Sequence, residues 1–338
     1  MEAQATPRRP RRGIVLVVLA VLVLVMLLLS VLMWWWDSEP RLFDPVQVTQ
    51  IQMKDMQRPV RIGATTTVTL ITSVKTLLDK RGGYLSNDKL PPGVLMDNLP
   101  NWEFGSLTAS RDLVRTLRND FSRSQTQSTE DKDLAEADPL LNSPNDRWLL
   151  PSSESQYRKA VKHLDGYLKR LGDADDSSAH FYARADNLAD YLQLASSRLG
   201  SLSQRLSASV GQIRVGDVDG PATAATVSGG PNTGRMVKTP WLKLDDNFYE
   251  ARGYTWTLLE QLKAIQQDFG PILRSKHADV SLQQVIRELE DAQRPLRSPM
   301  VLNGSPFGFF ANHSLVMANY VSRANAAIID LRELLKRG

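Results

Sequence analysis

The histidines do not form a recognised metal-binding or catalytic motif. The chain has four, His163, His180, His277 and His313. No two stand four residues apart or in an H-E-x-x-H motif, so the usual zinc-binding helix is not indicated. His180 lies close in sequence to Asp175, Asp176 and Asp186, which could together form a mixed metal site. A solvated histidine at a helix start explains the same pattern more simply, and we expect no metal.

Nucleophilic and nucleotide chemistry are not indicated either. The nucleophile motif G-x-S-x-G is absent, and so are Walker A and G-x-G-x-x-G loops. His313 adjoins Ser314 and lies near Ser305, but capping of a helix by Asn312 and Ser314 is the better interpretation. Paired carboxylates for glycoside cleavage can come from distant parts of a fold, so a weak hydrolase site stays open. We expect no catalytic residue and no cofactor.

An acidic run raises the question of calcium. Its members are Glu130, Asp131, Asp133, Glu136 and Asp138. The run lacks the D-x-[DN]-x-[DN]-G pattern and the closing glutamate of an EF-hand loop. We therefore expect a solvated helix face, neutralised by Lys132 and neighbouring arginines.

The segment from Asn303 to Asn312 places three aromatic rings in a glycine-rich loop. Phe307, Phe309 and Phe310 form a candidate contact loop for a protein partner, a lipid surface or a small ligand. The alternative is that the three rings close one end of a helical core. We favour the second interpretation from the sequence.

A membrane anchor is the strongest feature of the chain. Residues 14–36 are apolar except for Ser30, and a helix of that length rises about 34 Å, enough to cross a bilayer core of about 30 Å. Arginines precede the helix and tryptophans end it, which predicts a cytoplasmic N-terminus. The residues that set this orientation are Arg8, Arg9, Arg11, Arg12, Trp34, Trp35 and Trp36.

A cleaved signal peptide is the competing interpretation. Its apolar region would be shorter, about 7–15 residues, and would end at small residues rather than at Leu32-Met33-Trp34. The anchor also explains the charge. The net charge is +4, and residues 1–36 carry four arginines against Glu2, so the rest is nearly neutral. A nearly neutral body argues against nucleic acid as a partner. Cysteine is absent, which excludes disulfides and thiolate sites.

The remaining chain has the apolar periodicity of helices. Apolar residues repeat at alternating steps of four and three, as on one face of a helix. The clear stretches of this coiled-coil-like pattern are 157–171, 181–206, 244–269 and 317–335, with shorter ones at 70–77 and 107–121. Each stretch stops after a few turns, which favours helices packed on one another. The predicted fold is mostly α, with one transmembrane helix followed by an antiparallel multi-helix bundle.

The sequence also predicts segment boundaries. A cytoplasmic tail (1–13) and the anchor (14–36) precede an extended stalk with a short strand (37–64) and a helical domain (65–338). Within that domain, residues 210–238 are rich in Gly, Ala and Thr, which predicts a flexible loop. Ser153 with Gln156 and Ser281 with Gln284 fit capping boxes, and Thr239-Pro240 fits a helix start.

Several runs resemble an uncharacterised proteobacterial inner-membrane family, domain-of-unknown-function family 2333. They are residues 119–125 (NDFSRSQ), 127–131 (QSTED), 181–188 (FYARADNL), 199–206 (LGSLSQRL) and 298–305 (SPMVLNGS). The resemblance covers most of the chain after the anchor. It implies a bacterial envelope protein with a periplasmic body, and it brings no established activity or site residue.

We therefore expect a non-enzymatic helical scaffold or partner-binding protein, anchored in the bacterial inner membrane. Its expected partners are the bilayer and another envelope protein. A ligand-sensing bundle acting through another membrane protein is the alternative, and an envelope hydrolase is a third hypothesis. The sequence does not give the oligomeric state.

Overall fold

The N-terminal apolar run forms a helix that stands outside the folded body. The computed structural model describes residues 11–124, 129–173, 178–214, 235–298 and 300–337. The first helix, α1 (Arg11–Trp36), contains a stretch, Gly13–Trp36, that is long and apolar enough to cross a membrane. Its residues 13–28 are exposed and do not pack against the rest of the protein.

Residues 37–64 are not the extended stalk with a strand that the sequence predicted. They contain α2 (Pro45–Asp55), whose first turn is capped by the Asp44 side chain. Pro45 occupies the start of the helix, where a missing N–H leaves no hydrogen bond unmade. Thr49 and Met53 are buried, so α2 packs on the body instead of separating it from α1.

The body is a bundle of helices around one apolar core. Its helices are α3 (Ala64–Asp79), α4 (Asn98–Thr116), α5 (Lys132–Leu141), α6 (Ser153–Leu171), α7 (Ala185–Ser207), α8 (Leu244–Asp268), α9 (Gly270–Ser275), α10 (Asp279–Ala292) and α11 (His313–Lys336). The four long periodic stretches fall on α6, α7, α8 and α11, and nearly all of their repeating residues are buried. The predicted fold class is confirmed.

Helices that are distant in sequence form the closest pairs. α7 and α11 run antiparallel, because Ser196 bonds Asn325 while Ser203, two turns further along α7, bonds the earlier Ala318. α4 and α8 run parallel, with Ser106 bonded to Thr257 and the carbonyl of Ala109 to Gln261.

Glycine allows the parallel pair to approach closely. A Cβ atom added to Gly105 on α4 would lie 2.0 Å from the carbonyl oxygen of Glu250 on α8. One added to Gly253 on α8 would lie 1.8 Å from the carbonyl oxygen of Trp102. No real Cβ atom fits at either distance, so the crossing depends on both glycines.

The loop predicted at 210–238 is closed at its base by two short strands. β1 (Gln212–Arg214) pairs antiparallel with β2 (Arg235–Val237), and Gln212 stands opposite Val237. Residues 215–234 lie outside the described residues. The two ends of the predicted loop are joined by the antiparallel pairing of β1 and β2.

The predicted helix starts were displaced or wrong. Ser152, not Ser153, caps α6. α10 begins at Asp279 and already contains Ser281, and a 3-10 turn at Trp241–Lys243 follows Pro240 before α8 begins. Asn312 caps α11 as predicted, since its side chain accepts a hydrogen bond from the Leu315 N–H at 2.9 Å.

Candidate contact surface beside the N-terminal helix

The last residues of α1 pack directly on the body. The Trp36 ring lies so close to Gly82 that a Cβ atom there would be 2.8 Å from it. The Arg81 guanidinium stands 5.8 Å from the centre of the Trp35 ring and donates to the Ser38 hydroxyl. Trp34, by contrast, is 80% exposed. We call the part of the body around these contacts the α1-proximal end.

The residues after α1 continue this attachment. Asn98, at the start of α4, donates to Asp37 at 3.3 Å. Glu39 receives the guanidinium of Arg252 from α8, and that arginine is 4% exposed. Burial, aided by the neighbouring acidic residues Asp97 and Glu39, raises the pKa of Asp37. The junction is therefore an ordered contact that includes an ion pair between a buried arginine and a half-buried glutamate.

A cleft of about 650 Å³ opens between α1 and the body. Trp34 and Trp35 line one wall, and Tyr249 and Trp256 of α8 line the other. The segment after α10 closes it through Pro295 and Leu296. Because four aromatic side chains and three arginines line the cleft, it could hold an amphiphile or another small ligand.

The phenylalanine loop is a small hairpin that projects from the start of α11. Asn303 and Asn312 form an antiparallel bridge, and the Gly304 N–H donates to the Ala311 carbonyl at 3.0 Å. The buried Asn312 amide donates to the Gly304 carbonyl at 2.7 Å. The base of the hairpin is thus fixed by backbone pairing and by one buried side chain.

His313 adds to this fixed base. Its ring Nδ1 accepts a hydrogen bond from the Leu302 N–H at 2.9 Å, and its backbone N–H donates to the Leu302 carbonyl. Burial lowers the pKa of His313, which agrees with a neutral ring whose Nδ1 is an acceptor. The role of His313 here is structural.

The three rings of the hairpin point into solvent. Phe307 is 102% exposed, Phe309 99% and Phe310 70%, and the rings of Phe309 and Phe310 contact only each other edge to face among the ring pairs of the described residues. The interpretation favoured from the sequence, that these rings close the core, is therefore wrong. The alternative, a contact loop, remains a prediction.

Further loops expose large apolar residues in the same way. One precedes α6, with Trp148, Leu149 and Leu150, the last 95% exposed. A second is the turn before α8, with Trp241 and Leu242. A third is the loop before α4, with Leu90, Val94 and Leu95. None of these residues belongs to a stretch that sequence periodicity singled out.

The predicted orientation residues are placed only in part. Arg8 and Arg9 lie outside the described residues, and Arg11 and Arg12 begin α1. Trp34, Trp35 and Trp36 end it, as the sequence predicted, and two of the three contact Arg81 or Gly82.

The acidic run is used within the fold. Arg170 of α6 pairs with Asp131 and Asp133, and Arg118 pairs with Glu130 and Asp138. Asp131 also caps α5 and is buried, so the run is more enclosed than the solvated face we expected. The prediction that neighbouring arginines neutralise the acidic run is confirmed.

Only part of the hypothesised mixed site around His180 lies within the described residues. The His180 carbonyl accepts a hydrogen bond from the Tyr167 hydroxyl at 2.6 Å, and Asp186 pairs with Arg184. Asp175 and Asp176 lie outside the described residues. Within the described part of the chain, no group of three or more His, Cys, Asp or Glu side chains could hold a metal ion.

The sequence did not predict one enclosed polar cluster. Lys80 pairs with Glu103 on α4, and both side chains are almost fully buried. The same carboxylate accepts hydrogen bonds from the Leu85 N–H at 2.9 Å and from the Ser86 hydroxyl at 2.5 Å. Burial raises the pKa of Glu103, while Lys80 opposes that effect. The cluster holds the 80–86 turn that supports Trp36.

Comparison with known proteins decides the family. The family model described as uncharacterised protein conserved in bacteria (DUF2333) matches residues 9–338. The chain belongs to this family. The resemblance found in the sequence is thereby confirmed as to family, and the match begins before α1 and runs to the last residue. No curated protein and no solved structure matches the chain.

Proposed function

We propose that this DUF2333 protein is a single-pass protein of the bacterial inner membrane, with a cytoplasmic N-terminus and a periplasmic body. The arginines before α1 and the tryptophans at its end support that orientation. The packing of Trp36 on Gly82 supports a retained anchor, because a cleaved signal peptide has no reason to pack on the mature body.

The body acts as a helical scaffold or partner-binding module of the envelope, without catalytic activity of its own. The observation that carries this proposal is the buried contact between Glu39 and Arg252 beside the packed Trp36. Together they fix the body to the end of its anchor, so that the bundle presents the same faces to its surroundings. A scaffold needs such a fixed presentation.

The topology can be tested in cells because the chain has no cysteine. A single cysteine replaces Val280, which is 70% exposed, and spheroplasts are treated with a membrane-impermeant maleimide. We expect labelling without lysis, at the extent reached after lysis. Protection until lysis would place the body in the cytoplasm and contradict the proposal.

The partner can be tested by site-specific photocrosslinking. A photoreactive amino acid at exposed positions on two helices, Val280 of α10 and Ile329 of α11, should capture the same envelope protein in intact cells. The buried Leu289 of α10 is the matched control and should give no product. No reproducible product from a set of exposed positions covering the body would contradict a partner-binding role.

A ligand-sensing bundle is the second candidate, favoured by the cleft at the junction. A small molecule held there would contact both α1 and the body, as a signal passed through the membrane would require. Screening the full chain in detergent by thermal shift against envelope metabolites tests this. A stabilising compound whose effect disappears in Trp256→Ala, while Trp102→Ala retains it, would favour the sensor.

A further inference from the structure

Five of the six exposed aromatic rings in the described part of the body, all but Phe104 of α4, lie in three loops. Among the described residues after α1, the exposed aromatic side chains are Phe104, Trp148, Trp241, Phe307, Phe309 and Phe310. Soluble surfaces seldom expose several large apolar side chains together without a contact to make. The three loops that carry these rings are therefore candidates for one contact surface.

Contacts place these three loops at the α1-proximal end. The loop before α6 is held by Asn87, which donates to the Arg147 carbonyl at 2.8 Å. Asn87 follows the 80–86 turn, which contacts Trp35 and Trp36 through Arg81 and Gly82. The loop containing Trp148 thus lies beside the end of α1.

The turn with Trp241 and Leu242 is placed by the first turn of α4. Asn101 of α4 donates to Asp246 at 2.8 Å, and Asn98, one turn earlier, bonds Asp37. The exposed turn directly precedes Asp246 in the chain. It therefore also lies at the α1-proximal end.

The phenylalanine hairpin is placed by the cleft walls. His313, at its base, shares a cavity of about 260 Å³ with Arg252 and Leu296. Those two residues also line the junction cleft beside Trp34. Since α11 leads away from this point toward its C-terminus, the hairpin that precedes it projects from the α1-proximal end.

We propose that this end of the body lies on the bilayer that α1 crosses and inserts the phenylalanine hairpin into its interfacial layer. The inference rests on the proposed function, because it requires α1 to be the membrane anchor. The bilayer is the occupant that the structure favours, since the exposed loops surround the point where α1 would leave it. Aromatic rings suit the headgroup boundary, and the fixed junction holds them there.

The charges near these loops are of both signs. Lys89, Arg147 and Arg297 are exposed, and so are the acidic residues Asp97 and Asp146. The apolar rings are the feature that the three loops share, so we expect insertion in neutral phosphatidylcholine without anionic lipid.

The test uses the full chain in phosphatidylcholine vesicles. Phe309→Cys, labelled with the fluorophore NBD, is compared with a labelled Val280→Cys. Val280 lies at the start of α10, whereas the end of α10 contacts Arg252 at the α1-proximal end. We expect spin-labelled lipid to quench the label at 309 at least threefold more than the label at 280, and iodide to show the reverse order. Strong iodide quenching at 309 without lipid quenching would overturn the inference.

A second labelled position and a flotation assay distinguish failure of the docking from failure of the anchor. Leu150 lies in an independent loop and is 95% exposed, so a label on Leu150→Cys should give the same lipid quenching as position 309. If the labelled protein fails to float with the vesicles, the anchor itself is wrong. If it floats while 309 and 150 remain open to iodide, only the docking is wrong and the hairpin is left for a protein partner.

Discussion

Glu39 accepts two hydrogen bonds from the guanidinium of Arg252, which lies 213 residues later in the chain. The other guanidinium nitrogen of Arg252 donates to the carbonyls of Ala292 and Arg294, at 3.1 and 3.0 Å. One arginine therefore joins the exit of α1, the middle of α8 and the end of α10. Removal of a partner from a buried charge is costly, because the charge keeps its desolvation penalty.

Glu39→Gln should consequently loosen the junction. We expect a loss of about 1–3 kcal/mol in the free energy of unfolding, together with faster trypsin cleavage at Arg41. Thermal unfolding of the full chain in detergent and timed proteolysis measure the two effects. The control is Asp79→Asn, because the exposed pair of Asp79 and Arg158 should contribute about 0–0.5 kcal/mol. Equal losses in both variants would show that the junction pair has no special role.

The crossing of α4 and α8 should not tolerate a single added carbon atom. Gly105→Ala and Gly253→Ala each place a Cβ atom against backbone of the facing helix, which cannot rotate away. We expect each to cost about 2–3 kcal/mol or more, measured by denaturant unfolding in detergent. Gly200→Ala on α7 is the control, since its nearest neighbour would be 3.7 Å away. That variant should gain up to about 1 kcal/mol from helix propensity, and a similar loss there would contradict the packing argument.

The helices could be predicted because their signal is local. On α8, Leu258, Leu262 and Ile265 repeat at helical spacing, and all three are buried. The parallel crossing of α4 on α8 could not be predicted, because Gly105 and Gly253 gain their meaning only when the two helices meet. Asp44-Pro45 did carry a helix-start signal, but the alternation of Val46 and Val48 outweighed it and suggested a strand.

The sequence predicted exposed contact rings only as one of two alternatives, the other being rings that close the core. Phe307, Phe309 and Phe310 were recognisable as unusual in sequence, yet an apolar ring more often fills a core, so burial was the natural expectation. Burial was excluded by the short hairpin closed at Asn303 and Asn312, which leaves no core within reach of the rings. Trp148 and Trp241 gave no signal, because their neighbours across the surface come from distant parts of the chain.

Truncation of a buried phenylalanine should lower the free energy of unfolding far more than truncation of an exposed one. Phe269 is fully buried, with ring centres of Phe121 and Phe181 at 5.2 and 5.7 Å. Phe269→Ala should cost about 3–5 kcal/mol through the cavity that it leaves. Phe309→Ala should change the free energy of unfolding in detergent by less than about 0.5 kcal/mol, because its ring is exposed. A large loss from Phe309→Ala would show that the hairpin rings pack on the body.

Glu260 of α8 is a buried carboxyl whose Oε1 accepts a hydrogen bond from the Phe43 N–H at 3.1 Å. Burial, only partly opposed by Lys263, raises its pKa from 4.5 to about 7, and Asp44 and Glu290 add to the increase. The folded state thus holds this proton more tightly than the unfolded state. The resulting stabilisation is complete below about pH 4.5 and is lost as the pH rises through 7.

Glu260→Gln keeps the acceptor for Phe43 and removes the titration. The variant and the parent protein should be similarly stable near pH 4.5, whereas at pH 8 the variant should be more stable by up to about 3 kcal/mol. Unfolding in detergent, followed by circular dichroism at several pH values, gives the difference directly. Shifts of other buried carboxyls, such as Glu103, are common to both proteins and cancel in this difference. A gap between the two proteins that stays constant from pH 4.5 to 8 would show that Glu260 titrates normally in the folded state.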